Sequence, residues 1–117
     1  MKRRNLLHSF KFAWEGLKFA FKNQRNIRIH IFASLLVIAL SLILEISYLE
    51  MAILVLAMMF VIVCEIINTA LELSLDCVNG YKHHPLVKVV KDVVAAGVLL
   101  ASINAVIVGS IIFLKHI

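Results

Sequence analysis

Hydrophobic residues near the start of the chain recur with the period of an α-helix. Over residues 5–22 they fall three or four positions apart, at Leu6, Leu7, Phe10, Ala13, Trp14, Leu17, Ala20 and Phe21. Lys11, Glu15 and Lys18 lie mostly on other faces of the same helix. A basic amphipathic helix with aromatic side chains is typical of a segment that lies in the membrane interface. We therefore predict a surface helix, followed by a polar turn at residues 23–30.

Three later stretches are long and apolar, and the second ends in a more polar segment. Residues 31–49, 51–78 and 93–114 are each predicted to form a transmembrane helix, because about 20 apolar residues suffice to cross the hydrocarbon core. The second helix would be about 42 Å long, against a core of roughly 30 Å, so its C-terminal end should project into the inner interface. Between the second and third spans, Asn-Gly and His-Pro predict a loop at residues 79–88.

The third span carries small residues every fourth position. These are Gly97, Ala101, Ala105 and Gly109. Because small side chains allow two helix backbones to approach each other, the stripe predicts close contact with another membrane helix.

Composition supports the membrane assignment. The 117 residues are 62% hydrophobic and 16% charged, with a mean hydropathy of +0.99. A soluble domain is about 45–50% apolar and about 25% charged, and a fold this small has too little interior to bury the excess. The predicted fold class is an all-α membrane protein. It consists of one domain over residues 1–117, with an N-terminal amphipathic surface helix and three transmembrane helices. Secreted modules, disordered chains and free cytosolic enzymes are excluded.

The basic residues predict the orientation of the chain. Of 12 lysines and arginines, eight lie in residues 1–30, three in residues 76–92 and none in residues 31–75. The positive-inside rule places the first two segments, and with them the N-terminus, in the cytoplasm. Nucleic acid is not an expected partner, since no soluble fold carries the basic charge. Cys64 and Cys77 form no CxxC pair and are interpreted as packing residues.

Candidate chemistry is concentrated in the C-terminal part of the second span. At about 100° per residue, one narrow face of that helix carries Glu65, Asn68, Glu72 and Asp76. Each acidic residue in a membrane helix costs about 2.5–3.5 kcal/mol at the bilayer centre, so such a row is expected to have a function. Lys91 and Asp92 open the predicted third span at a similar depth. We expect both to close over the acidic row.

These residue types suit phosphoryl transfer at a membrane surface. Carboxylates and phosphate oxygens are the ligands that Mg²⁺ prefers, Lys91 would neutralise phosphate charge, and Glu65 could act as a general base toward a lipid hydroxyl. Ion or proton coupling remains open on these grounds, as does a non-catalytic membrane scaffold. A small proton-coupled transporter should have four spans and a midplane carboxylate. The four glycines of the chain permit neither a P-loop nor a GxGxxG motif.

The acidic row belongs to a longer pattern. Glu65-x-x-Asn68-Thr69-Ala70-Leu71-Glu72-x-x-x-Asp76, followed by Lys91-Asp92-x-x-Ala95-Ala96, resembles the signature of the small bacterial integral-membrane diacylglycerol kinases. The resemblance covers nearly the whole chain and includes Trp14-Glu15-Gly16-Leu17. The run Arg25-Asn-Ile-Arg-Ile-His30, with His84-Pro85-Leu86, is most similar to the Gram-positive branch, whose members are typically undecaprenol kinases.

The resemblance implies a function and a set of roles. It implies an ATP- and Mg²⁺-dependent lipid kinase of the bacterial cell membrane, a homotrimer with active sites shared between subunits. Its acceptor would be a membrane lipid alcohol, undecaprenol rather than diacylglycerol. Glu65 would accept the hydroxyl proton, Glu72 would bind Mg²⁺, and Asn68 and Asp76 would shape the site. The residues implied to contact the nucleotide are Asn5, Phe12, Gln24, Glu72, Lys82, His83, His84, Lys91 and Asp92.

The chain departs from the family pattern at a residue implied to bind metal. Gln24 stands where the family pattern has a second metal-binding glutamate. Its neutral carbonyl oxygen ligates Mg²⁺ less well than a carboxylate. Asn5 and Phe12 also differ from the residue types expected at their positions in the surface helix.

Overall fold

Four α-helices follow one another in the computed structural model, which describes residues 5–80 and 82–117. They are α1 (Leu6–Asn23), α2 (Arg25–Ile43), α3 (Tyr48–Val78) and α4 (Pro85–His116). The last three are long and apolar enough to cross a membrane. Over the described residues, the prediction of an all-α protein with an N-terminal helix and three spans is confirmed. Residues 1–4 of the predicted surface segment, and Tyr81 of the predicted loop, lie outside this description.

The junction between α1 and α2 is shorter than predicted. Gln24 alone separates the two helices, with an extended backbone at φ −117° and ψ 108°. The predicted turn at residues 23–30 is therefore wrong, and the first span runs over Arg25–Ile43 instead of 31–49. Polar residues after Gln24 continue as a helix because the segment contains no Gly or Pro that would break one.

Helix α3 begins with a capping box and ends where the sequence predicts. The Ser47 hydroxyl accepts from the Glu50 backbone N–H at 3.1 Å, and the Glu50 carboxylate accepts from the Ser47 N–H at 3.2 Å. The buried residues of the helix recur at helical spacing and are Leu54, Ala57, Val61, Glu65, Asn68 and Thr69. The row predicted from the sequence is thus the continuation of the apolar face that packs inside the protein.

Helix α4 begins earlier than the predicted span at residues 93–114. Pro85 occupies its first turn, and His84 caps it, with Nδ1 accepting from the Leu86 backbone N–H at 3.1 Å. Proline fits the first helical position because the N–H it lacks has no partner there. The loop predicted at residues 79–88 therefore ends at His84. Lys91 and Asp92 lie in the second turn of α4 and do not open it.

The small-residue stripe of α4 meets α3 in the C-terminal half of α4. Ala101 is 3% exposed, and a Cβ added at Gly109 would lie 3.9 Å from the Leu54 side chain. A Cβ at Gly97 would meet nothing within 4 Å. Helix α3 also packs against α2, so it lies between the other two spans.

Candidate active site

The acidic row on α3 passes from the protein interior toward solvent. Glu65 is 2% exposed and Asn68 is 7% exposed, whereas Glu72 and Asp76 are half-buried. A carboxylate this buried in a membrane helix is costly, because hydrocarbon solvates charge poorly. The row therefore has a buried carboxylate at one end and half-exposed carboxylates at the other.

Two hydrogen bonds order the middle of the row. The Thr69 hydroxyl donates to the Glu65 backbone carbonyl at 3.0 Å, and Asn68 Nδ2 donates to Glu72 Oε1 at 3.3 Å. With its nitrogen directed to Glu72, the amide leaves Asn68 Oδ1 buried and without a hydrogen-bond partner. Buried acceptors are nearly always paired in folded proteins, so this oxygen is an exception.

Lys91 of α4 reaches the acidic row. Its Nζ lies 2.5 Å from Asp76 Oδ1, and the two side chains are 32% and 34% exposed. The pair joins α3 to α4 and brings a cation to the solvent-accessible end of the row. The contact expected between Lys91 and this row is therefore present.

Asp92 does not join the row, contrary to expectation. Its carboxylate pairs with Lys88 on the same helix at 2.7 Å, and both side chains are about two-thirds exposed, at 64% and 65%. Successive helical residues point about 100° apart, so Lys91 and Asp92 cannot both face α3. Asp92 is left accessible on another side of α4.

The remaining predicted nucleotide contacts lie at the surface. Lys82, His83 and His84 are exposed in the connection before α4. Asn5 is also exposed and caps α1, accepting the His8 backbone N–H at 2.8 Å. Phe12 is 46% exposed on α1. The side-chain hydrogen bonds of Asn5 and His84 cap their own helices, to His8 and Leu86 respectively.

Gln24 lies at the corner between α1 and α2. Its side chain is half-buried and does not cap α2. The amide therefore remains available to a ligand from the same corner.

An apolar cavity lies beside the buried end of the row. It has a volume of about 520 Å³, is partly open, and is lined by residues of three helices. The lining residues are Trp14, Leu17, Lys18, Ala20, Phe21, Lys22, Ile27, Ile31, Ile62 and Ile66. Ile62 and Ile66 flank Glu65 along α3, so the cavity adjoins the helix face next to the buried carboxylate. We call this space the α1–α3 cavity.

Two residues at the site were given no role from the sequence. Thr69 is 4% exposed and bonded to the Glu65 carbonyl, and its spacing of four from Glu65 could have indicated this. Arg28 binds the end of α1 across the Gln24 corner. The sequence does not indicate that contact, because it depends on the angle between two helices.

The sequence of this chain is similar to those of known proteins. Residues 11–113 match the prokaryotic diacylglycerol kinase family. A diacylglycerol kinase of Synechocystis is 44% identical over 110 residues, covering 94% of this chain and 63% of the relative. An undecaprenol kinase of Bacillus subtilis is 33% identical, covering 93% and 88%. A diacylglycerol kinase of Escherichia coli is 32% identical, covering 90% and 85%. The chain thus spans less than two thirds of the Synechocystis relative.

Proposed function

Because the chain belongs to the prokaryotic diacylglycerol kinase family, a family of lipid kinases, we propose that it transfers the γ-phosphate of ATP to a membrane lipid alcohol. The observation that carries the proposal is the position of Glu65. Its side chain is buried, it lies at the buried end of the acidic row, and it is next to an apolar cavity. A lipid chain and a water-soluble nucleotide can approach such a row from opposite ends.

Glu65 is proposed as the proton acceptor. The hydroxyl of a lipid whose chain occupies the α1–α3 cavity would reach the Glu65 face of α3. As the hydroxyl oxygen bonds to the γ-phosphorus, its proton passes to the Glu65 carboxylate, and the bond from phosphorus to the bridging oxygen of ADP breaks. General-base assistance of this kind contributes roughly 10²–10⁴ to a rate. Most of the remaining catalysis is positioning and charge neutralisation.

The half-exposed end of the row, at Glu72 and Asp76, suits a nucleotide that carries Mg²⁺. The described residues contain no group of three or more His, Cys, Asp or Glu side chains that could hold a metal ion. Mg²⁺ is commonly held by one or two carboxylates together with substrate phosphates, and Glu72 would be such a carboxylate, positioned by the amide of Asn68. Gln24 is the further proposed ligand. When bound, Mg²⁺ neutralises charge on the phosphates. Lys91 would move from Asp76 to phosphate.

The other nucleotide contacts are proposed from accessible residues. Lys82, His83 and His84 would line the nucleotide from the loop, and Asn5 and Phe12 from α1. Asp92 is exposed and directed away from the α3 row of its own chain. We propose that it serves a site shared with another copy in a homotrimer. A particle mass of three chains in analytical ultracentrifugation would support that assembly.

For the acceptor we propose undecaprenol, on the run of residues 25–30 and on His84-Pro85-Leu86. Diacylglycerol is the competing acceptor, since the 44% identical relative is named a diacylglycerol kinase. We further propose one domain over residues 1–117 in the bacterial cell membrane, with the N-terminus in the cytoplasm, because the basic residues lie at that end of the spans.

The test is phosphoryl transfer by the purified chain in lipid nanodiscs. Labelled ATP is supplied with Mg²⁺ and either undecaprenol or diacylglycerol, and labelled lipid is measured. We expect transfer, with the higher kcat/KM for undecaprenol. Glu65→Gln should lower kcat by at least about 100-fold with unchanged helical content, because it removes the base. The control is Glu45→Gln, which changes an exposed carboxylate in the α2–α3 loop.

Each outcome bears on a different part of the proposal. Transfer retained in Glu65→Gln would remove Glu65 as the base. A preference for diacylglycerol would overturn the acceptor assignment alone, and failure of both acceptors would overturn the kinase assignment. The transporter alternative predicts four spans, whereas the described residues contain three candidate spans.

A further inference from the structure

The end of α1 is bonded by a side chain of α2. Arg28 Nη1 donates to the Phe21 carbonyl at 2.8 Å and to the Lys22 carbonyl at 2.9 Å. The Gln24 backbone N–H donates to the Ala20 carbonyl at 2.9 Å. The last four carbonyls of an α-helix have no partner within the helix, so a single guanidinium satisfies half of those in α1. Its positive charge also lies at the negative end of the helix dipole.

The burial of α1 is concentrated near the same end. Every residue of α1 lies within the described part of the chain, and Ala20 is the one that is buried. The aromatic contact between Phe21 and Phe32, with ring centroids 6.5 Å apart, joins α1 to α2 close to the same corner. Helix α1 is therefore held at its C-terminal end, where the Arg28 bonds lie.

The position of α1 determines the shape of the α1–α3 cavity. Trp14, Leu17 and Phe21 provide one wall, whereas Ile27 of α2 and Ile62 of α3 belong to the others. A change in the angle between α1 and α2 would move the first wall relative to the rest.

We propose that Arg28 is a positioning residue for the lipid acceptor. By bonding the last carbonyls of α1, it fixes the α1–α2 corner and thereby the width of the cavity beside Glu65. The inference rests on the proposed function in one respect, that the cavity receives the acceptor chain. Arg28 itself contacts backbone and takes no part in proton or phosphoryl transfer.

Trp14 allows the inference to be tested by binding as well as by activity. It is the single tryptophan of the chain, and it lines the cavity. The probes are a diacylglycerol and a polyprenol with brominated chains, each titrated into the full chain in nanodiscs, since bromine quenches tryptophan fluorescence on contact. We expect saturable quenching by at least one probe. Arg28→Ala should raise the half-saturating concentration roughly tenfold, because the wall that carries Trp14 shifts.

Kinetics provide the second measurement. The KM for the lipid should rise in Arg28→Ala by a similar factor, whereas the KM for ATP should change less than about twofold, since the change affects acceptor binding. Arg28→Lys keeps the charge without the planar fork and should fall between the two proteins. Arg25→Ala is the matched control. It removes an exposed arginine three residues earlier and should behave as wild type.

The outcomes separate this inference from the proposed function. If Arg28→Ala has the same half-saturating concentration for quenching and the same lipid KM as the wild-type protein, the proposed role of Arg28 is overturned. A fall in kcat with both values unchanged would also overturn it. Absence of saturable quenching in the wild-type protein would overturn the cavity as the binding place. Saturable quenching without phosphate transfer would overturn the kinase assignment and leave the Arg28 inference standing. If circular dichroism shows that Arg28→Ala is unfolded, Arg28→Lys and Arg28→Gln are compared with the wild type by the same criteria.

Discussion

At the scale of single residues, the site depends on how polar groups are paired in a region poor in water. The Asn68 amide nitrogen donates a hydrogen bond to Glu72, and its buried oxygen has no hydrogen-bond partner. Lys91 forms a salt bridge with Asp76. An unpaired buried acceptor costs about 1–3 kcal/mol, which a ligand donor or cation would recover on binding.

Gln24 offers a direct test of the metal site. We predict that Gln24→Glu lowers the Mg²⁺ concentration needed for half-maximal transfer, several-fold, because a carboxylate ligates Mg²⁺ better than a neutral amide. The measurement is initial rate against free Mg²⁺ at fixed ATP.

The control for Gln24 is Asn26→Asp, which adds a charge at an exposed residue of the same segment. An unchanged Mg²⁺ requirement in Gln24→Glu, or an equal change in the control, would count against metal contact at this position.

At the scale of elements, the packing of α3 on α4 depends on small residues at particular turns. Ala101 is enclosed, and Gly109 lies next to Leu54, whereas Gly97 faces open space. The four-residue repeat is regular in sequence, yet only part of it meets α3 because two helices that cross separate away from their closest approach. The N-terminal part of the stripe, at Gly97, is accessible in the single chain.

The effect of a larger side chain on stability should differ between the enclosed Ala101 and the exposed Gly97. We predict that Ala101→Leu lowers the free energy of unfolding by about 1–3 kcal/mol, because the larger side chain overpacks the contact. Gly97→Leu should have no such cost within one chain. The measurement is reversible unfolding in mixed micelles, monitored by circular dichroism.

Equal effects of Ala101→Leu and Gly97→Leu would contradict the α3–α4 contact described here. A loss at Gly97 accompanied by a smaller particle mass would instead place the N-terminal part of the stripe against another copy, as the proposed trimer allows.

At the scale of the whole molecule, polar contacts join α3 and α4 at both ends. The Lys91–Asp76 pair lies at the site, and the opposite end has a cluster around Glu50. Glu50 Oε1 lies 2.9 Å from His116 Nε2, and Glu50 Oε2 lies 3.7 Å from Lys115 Nζ. The same carboxylate completes the α3 capping box. The two longest helices are thus joined by polar side-chain contacts near both ends.

Glu50 should therefore contribute to stability without contributing to catalysis. We predict that Glu50→Gln lowers the free energy of unfolding, because it weakens the cap and the contacts to His116 and Lys115. The kcat should remain within about twofold of wild type, since the acidic row lies at the other end of α3. Unfolding in micelles and the transfer assay provide the two measurements.

Glu45→Gln is the matched control, as a nearby exposed carboxylate outside α3. Unfolding that is unchanged in Glu50→Gln would show that the cluster does not fasten the helices, and a large loss of kcat would link this end to the site.

The sequence alone determined the properties that depend on local order along the chain. Helical period and apolar length predicted the surface helix and three spans, and spacing on one helix placed Glu65, Asn68 and Glu72 on a common face. Helix boundaries were less accurate, because Gln24 redirects the chain without a Gly or Pro to indicate it. The family resemblance was also present in the residues and is confirmed by the match over 11–113.

The tertiary structure decided the relations between helices. It joined Lys91 to Asp76 and left Asp92 on another side, placed Arg28 on the end of α1, and formed the α1–α3 cavity. These features depend on how each helix is rotated and inclined relative to its neighbours. Hydropathy and period fix which residues share a face of one helix, whereas the packing of whole helices fixes which faces meet.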